Sequence, residues 1–390
     1  MFTSDSVRDY LGSDFEKYRQ TLSVAIHSDE AYLEAINQYV LGVRGKEIRP
    51  VLALLAGRSC GSLTPLSYYC AAVSEMLHTA TLMHDDVADA AAMRRGHLSV
   101  SAMFSPAAAV LTGDFWLSRS LYLLTSKCET EFISFFADAV QKMSEGELLQ
   151  LDKADKLDTT EQDYYSIIYG KTAALFVASI KSAARAVRAD GVVVDSLTCY
   201  AENLGLAFQI RDDIFDYSPD LKTGKIAGAD IKERKITLPL IGALNNAPER
   251  APGIISEIRK IESVFTEKIT EKEAAIISKV TDFVRENKGI EYAQQKLDYH
   301  IVLAKNALAV IPPSRDKELL IEFAEYVGRR LTECRALFSE GNRQSQNPDG
   351  AAERDPVRFQ YQRRWPHVGP SLLYAQSHRF PLCLQGLLLS

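Results

Sequence analysis

The sequence has almost none of the polar–apolar alternation that marks half-buried strands, which argues against a β-rich fold. Its six cysteines (Cys60, Cys70, Cys128, Cys199, Cys334 and Cys383) form no CxxC pair. None lies near a histidine at zinc-ligand spacing, so no structural zinc site is expected. No stretch reaches the roughly 18–20 apolar residues of a membrane span. The first residues, MFTSDSVRDYLGSDFEKY, are too polar for a secretory signal peptide. Positive charge is not in excess either. The net charge of −6 gives no basic face for nucleic acid, although a few lysines and arginines in one cleft could still hold an anion. These absences lead to the expectation of a reduced, cytoplasmic protein without a nucleic-acid partner. With 46% hydrophobic and 25% charged residues in 390, the chain can bury a sizeable core.

What is present is helical periodicity. Apolar residues recur at helical spacing over 48–56, 68–83, 132–151, 173–187 and 197–214, and charged helical stretches follow at 254–268 and 271–286. Short breaks rich in Gly, Pro, Ser and Asp separate them, as in Gly61–Pro65 and Ser218–Asp220. The pattern predicts an all-α protein with about ten or more helices, too many for a simple four-helix bundle. Residues 341–390 differ: they hold six arginines and no lysine, with five of the fourteen prolines. They are expected to be a disordered tail or non-native sequence such as a shifted reading frame gives. The apolar run Pro381–Leu389 leaves open a membrane or partner tail. The folded unit is therefore assigned to residues 1–340.

Two acidic clusters carry the chemistry. Asp85-Asp86-Val87-Ala88-Asp89 closes a long apolar helical run, and Asp212-Asp213-Ile214-Phe215-Asp216 closes another. Aspartates four apart share a helix face and repel each other unless a cation sits between them. Magnesium takes oxygen ligands and commonly binds one or two carboxylates plus substrate phosphates. One such cluster is equally readable as a solvated helix end. Two copies, each on an otherwise apolar helix, favour a shared group of two or three Mg2+ ions.

Cations surround the clusters in sequence. Lys46 and Arg49 open an apolar helix, Arg94 and Arg95 follow the first cluster, and Lys225 and Lys235 follow the second. Tyr169-Gly170-Lys171-Thr172-Ala173 is expected to open a further helix, whose free N–H groups would favour an anion. Each cation alone is more often a solvated surface charge. Together, arginine forks and lysine point charges could hold two separate diphosphates.

The elements GKEIRP, LHTATLMHDDVAD, MRRG, GKTAAL, FQIRDDIFD and KITLPL occur in the order that marks trans-isoprenyl diphosphate synthases. The resemblance spans roughly residues 5–340 and is strongest to the octaprenyl and other medium- and long-chain members. It implies an isoprenoid-synthase-type helical bundle around a central cavity, a homodimer, and condensation of isopentenyl diphosphate with an allylic diphosphate such as farnesyl or geranylgeranyl diphosphate. It further implies Mg2+ ligation by Asp85, Asp89 and Asp212, with Asp86, Asp213 and Asp216 in support. Isopentenyl diphosphate would meet Lys46, Arg49, His78 and Arg95. The allylic diphosphate would meet Arg94, Lys171, Thr172, Gln209, Lys225 and Lys235. His78 without this resemblance would read as a core histidine.

In the resembling family, aromatic residues four or five positions before the first aspartate shorten the product. Here those positions hold the small Thr81 and Ala80, with Met76 and Leu77 a turn deeper. A trans-polyprenyl product of C30–C40 is expected, with membrane contact on release. Small residues there could also merely serve close helix packing. Ala88 and Ala90–Ala92 make the first loop less polar than in many members, and Gly224-Lys225-Ile226-Ala227 lacks a frequent proline. The competing readings are a C15–C20 synthase, a non-catalytic subunit of a hetero-oligomer, a class I terpene cyclase and a head-to-head synthase. The intact pair of DDxxD clusters and the GKxxRP element argue against the last three.

Overall fold

The computed structural model describes residues 3–43, 45–217, 228–261 and 269–329. Lys225, its proline-less loop and everything from residue 330 onward, including the proposed tail, lie outside the described residues. The architecture is all-α. The first helices are α1 (Ser4–Leu11), α2 (Ser13–Ile26), α3 (Ala31–Gly42), α4 (Ile48–Cys60) and α5 (Pro65–Ala88). A small hairpin precedes α6 (Val100–Met103), α7 (Pro106–Lys127), α8 (Thr130–Lys156) and α9 (Glu161–Ile168). Next come α10 (Ala174–Ala186), α11 (Gly191–Asp216), α12 (Ala229–Lys232) and α13 (Leu238–Asn246). The series ends with α14 (Ala251–Ile258), α15 (Glu271–Glu286), α16 (Gly289–Ala307) and α17 (Arg315–Gly328). No helix among the described residues is long and apolar enough to cross a membrane.

Local chemistry sets the helix ends. Thr64 and Ser67 form a reciprocal capping box at the start of α5, with Pro65 at its first turn. The same device, Thr270 with Glu273, starts α15, which coincides with the predicted span. Of the helical stretch expected at 254–268, α14 covers the part up to Ile258, after which Arg259 and Lys260 turn the chain; residues 262–268 lie outside the described residues. α4 and α10 are buried nearly all round, as Leu52–Ala56 and Ala173–Phe176 illustrate. α10 packs on α4, α5, α8 and α11, so it fills the middle of the bundle. The two aspartate-bearing helices flank it: α5 packs also on α2, α4 and α7, and α11 on α16 and α17.

One expectation is corrected. Tyr169–Ala173 does not open a helix; it is a wide π-turn joining α9 to α10 without interruption. The backbone N–H of Ala174 bonds back to Tyr169 O, so the free helix N-terminus foreseen there does not exist. Packing explains the wide turn: Gly170 lies so close to α8 that a Cβ would stand 2.4 Å from Lys142 O. A two-residue hairpin is another irregularity. Met93 pairs with Leu98 and Arg94 with His97, while Arg95 (φ 54°) and Gly96 (φ 79°) make the turn.

Candidate active site

A cavity of about 1300 Å³ opens between α5, α8 and α11. It exceeds the range of about 300–1,000 Å³ usual for a single small ligand. Lys46, Arg49, His78, Thr81, Asp85, Arg94, Arg95, Lys171, Thr172, Gln209, Asp212, Asp213 and Lys235 all line it. Asp86, Asp89, Asp216, Ala80, Met76 and Leu77 are not part of the lining. Ala80, Met76 and Leu77 are buried in the core instead.

The helix ends set the aspartates. Asp85 lies in the last turn of α5, and Asp89 caps that helix by donating its N–H to Asp85 O at 2.8 Å. Asp86 turns to the other side, where it is buried and takes Nε and Nη2 of Arg94, the former at 2.8 Å. Asp216 ends α11 and accepts the N–H groups of Ala229 and Asp230 at 3.1 and 3.0 Å. Buried Asp213 accepts Tyr164 Oη at 2.6 Å and Gln209 Nε2 at 2.9 Å.

Burial, aided by the charge of Glu147, pushes Asp85 up to about 6. Burial raises Asp89 as well. Asp213 is pushed up to about 8 by burial and by the negative charge of Asp230. Burial is the first cause at all three, and a divalent cation bound among these carboxylates would offset it. Among the described residues no group of three or more His, Cys, Asp or Glu could hold a metal alone. Oxygen ligands from substrate would therefore complete any coordination.

Two cationic groups face this acidic zone. On one side, Lys171 Nζ lies 2.6 Å from Glu147 Oε2 and donates to Gln150 Oε1 at 3.0 Å. Thr172 Oγ1 donates to Gln209 Oε1 at 2.7 Å. Lys235 pairs with Glu233; burial opposes its charge, but Glu233 and Asp230 outweigh that and raise it. On the other side, the Arg49 guanidinium stacks over Phe176 at 4.8 Å, and burial lowers it to about 10. Arg95 rests on Gly45, where a Cβ would overlap its guanidinium at 2.3–2.5 Å. His78 lies among them, and burial with Arg49, Arg95 and Arg94 pushes it well below its usual value, keeping the imidazole neutral.

Sequence reasoning missed the supporting groups Tyr164, Glu147, Gln150, Glu75 and Arg8, all on the cavity wall. Buried Glu75, pushed up to about 7 by burial and by Glu47, lies near Arg49 and Arg95. His84, next to Asp85, meets α7, with Nε2 3.2 Å from Val110 O and 3.3 Å from Asp114 Oδ1.

Comparison with known proteins bears on this site. A family model described as Polyprenyl synthetase matches residues 30–276, more than half of the chain. The chain belongs to the polyprenyl synthetase family. An octaprenyl diphosphate synthase from Haemophilus influenzae is 34% identical over 325 residues, covering 83% of this chain and 96% of that protein. The crystal structure of a decaprenyl diphosphate synthase from Rhodobacter capsulatus matches with a TM-score of 0.76 and 31% identity. That match covers 84% of this chain and 98% of the other. A polyprenyl synthase from Caulobacter crescentus, complexed with calcium and isoprenyl diphosphate, matches with a TM-score of 0.75 and 30% identity. It covers the same shares, 84% and 98%. Geranylgeranyl pyrophosphate synthases also match, one from Pyrococcus horikoshii with a TM-score of 0.73. This polyprenyl synthetase is therefore a prenyltransferase with trans-prenyl diphosphate synthase activity, in a metal-dependent family.

Proposed function

We propose that this enzyme condenses isopentenyl diphosphate with farnesyl or geranylgeranyl diphosphate to a trans-polyprenyl diphosphate of C30–C40. One observation carries the reading: two separate cationic groups line the same cavity as Asp85 of the first aspartate cluster and Asp212 and Asp213 of the second. A single-diphosphate enzyme would need only one of the cationic groups.

Asp85, Asp89 and Asp212 would hold two or three Mg2+ ions, with Asp86, Asp213 and Asp216 in support. Bound there, magnesium neutralises charge on the leaving diphosphate. Lys171, Lys235, Arg94, Thr172 and Gln209 hold the allylic diphosphate, and Lys225 is proposed to join them. These cations stabilise the negative charge that builds as the allylic C–O bond breaks. Lys46, Arg49, Arg95 and neutral His78 hold isopentenyl diphosphate so that its double bond meets the allylic cation. The proton then lost passes to the departing diphosphate. Met143, Ile168 and Phe208 supply apolar wall that keeps water from quenching the cation.

Thr81 faces the cavity on the same helix as Asp85, which supports it as a gauge of product length. Ala80 is buried, so phenylalanine there would overpack the core at a cost of about 1–3 kcal/mol. Thr81→Phe is the cleaner probe. A homodimer is proposed because α7 leaves Val110, Leu111, Leu121 and Tyr122 exposed along one face, with Leu148 and Leu151 exposed on α8. The enzyme unit is proposed to be residues 1–340, working in the cytoplasm with membrane contact only on product release.

The deciding assay incubates the protein with Mg2+, farnesyl diphosphate and labelled isopentenyl diphosphate, then separates products by chain length. Elongated product that disappears with chelator and returns with Mg2+ is expected. Failure to elongate either farnesyl or geranylgeranyl diphosphate would refute the reading.

A further inference from the structure

The segment Gly45–Arg49 enters the cavity by an unusual route. Glu47, the residue before α4, has φ 49° and ψ 42°, a left-handed conformation that a residue with a Cβ rarely adopts. Such a conformation persists only where its surroundings hold it. An acidic residue before a helix would ordinarily cap it, but the Glu47 side chain makes no cap hydrogen bond. Its carboxylate is buried and turned to the N-terminal helices instead. It accepts Tyr18 Oη at 3.1 Å and Arg19 Nη2 at 3.0 Å from α2, and Arg8 Nη2 from α1 lies 3.4 Å away.

Arg8 Nη2 also donates to Gly45 O at 2.9 Å. The chain is thus gripped on both sides of Lys46. Arg8 and Arg19 both rest on the Phe15 ring, at 5.6 and 4.7 Å, so α1 and α2 hold the grip as one packed group. None of these bonds uses Lys46 or the Arg49 guanidinium. Lys46 Nζ reaches toward Tyr326, 6.0 Å from its ring, and Arg49 lies over Phe176. Both cations line the cavity, as do Glu47 and Arg8, whereas Tyr18, Arg19 and Phe15 do not.

We infer that Glu47 is a positioning residue: clamped by Arg8, Tyr18 and Arg19, it sets the backbone from which Lys46 and Arg49 reach the isopentenyl diphosphate. This rests on the function proposed above. None of the clamp's hydrogen bonds or ion pairs reaches Lys171, Thr172, Gln209, Lys235 or Arg94, the residues proposed for the allylic diphosphate. Loosening the clamp therefore weakens one substrate and not the other.

Two-substrate steady-state kinetics on the full chain tests this, with circular dichroism melts as a check on folding. Glu47→Gln removes the charge, and Glu47→Gly tolerates the backbone conformation while removing the whole side chain. Both are expected to raise KM for isopentenyl diphosphate about tenfold, with KM for the allylic substrate within about twofold of wild type. Arg19→Met, outside the cavity, is expected to do the same, and Arg19→Lys to restore near-wild-type KM. Should these variants not fold, Tyr18→Phe removes one hydrogen bond and no charge, and a rise of about two- to threefold is expected. An unchanged KM for isopentenyl diphosphate in folded Glu47→Gly, or in Tyr18→Phe where it carries the test, would overturn the inference. So would an equal rise for both substrates. Wild type failing to condense the two substrates would instead refute the proposed function, so the two failures are distinct.

Discussion

Replacing His300 with glutamine should flatten the acid limb of the protein's stability. His300, on α16, is buried; Nδ1 lies 2.9 Å from Asn203 Oδ1 on α11, and the Tyr165 and Tyr299 rings stand 5.6 and 5.5 Å away. Burial, with the positive charge of Lys296, pushes it down to about 4 from the usual 6.5. Between those pH values the unfolded chain binds a proton that the folded chain refuses. The stabilisation is therefore complete above about pH 6.5, is lost as pH falls toward 4, and changes no further below that. The full gap corresponds to about 3.4 kcal/mol, of which about 2 kcal/mol is gone by pH 5. Glutamine can keep the bond to Asn203 and cannot be protonated. Urea unfolding at pH 7.5, 6 and 5 should show wild type losing about 2 kcal/mol more than the variant. Asp85 and Asp213, raised to about 6 and about 8, act in the opposite direction by favouring the fold as pH falls. Both are present in the two proteins and cancel in the comparison. Equal losses for wild type and variant at pH 5 would refute the assignment of His300 as a neutral buried group.

Thr81→Phe should yield a shorter prenyl product with the protein still folded, read by reversed-phase thin-layer chromatography; an unchanged product length would remove Thr81 as the gauge. Lys171→Met should lower kcat by about 100-fold or more, because it deletes a charge proposed to face the leaving group, and Lys171→Arg should keep part of the rate. Stopped turnover assays distinguish the two variants. Leu111→Arg combined with Leu121→Arg should turn the proposed dimer into a monomer in light scattering, and a mass unchanged from wild type would move the proposed interface off α7.

The sequence was most readable where the signal is local. Thr270 and Glu273 mark the start of α15 within four residues, and the paired aspartates stand out because their spacing is itself the chemistry. The end of α14 was hidden because its apolar spacing runs on past Ile258. The π-turn could not be read at all, since the approach of Gly170 to α8 is a tertiary event. The same holds for the partners of the site. Tyr164 reaches Asp213 across 49 residues, and Glu47 meets Tyr18 across 29. A lone tyrosine or glutamate carries no spacing that would reveal such a partner. Burial then decided what composition could not, separating Thr81 on the cavity wall from Ala80 in the core.

The wide turn at Tyr169–Ala173 also acts as a one-residue insertion that a regular helix cannot absorb. One residue corresponds to about 100° of rotation about a helix axis, so α9 and α10 are out of register with each other. With this turn, Tyr164, Ile168, Lys171 and Thr172 all line the cavity across the join. Deleting Gly170 would restore a regular helix while swinging either Tyr164 or Thr172 out of the cavity. The segment is thus expected to be intolerant of a length change that an ordinary helix–helix join would accept, and its length is as much a part of the candidate site as its lysine.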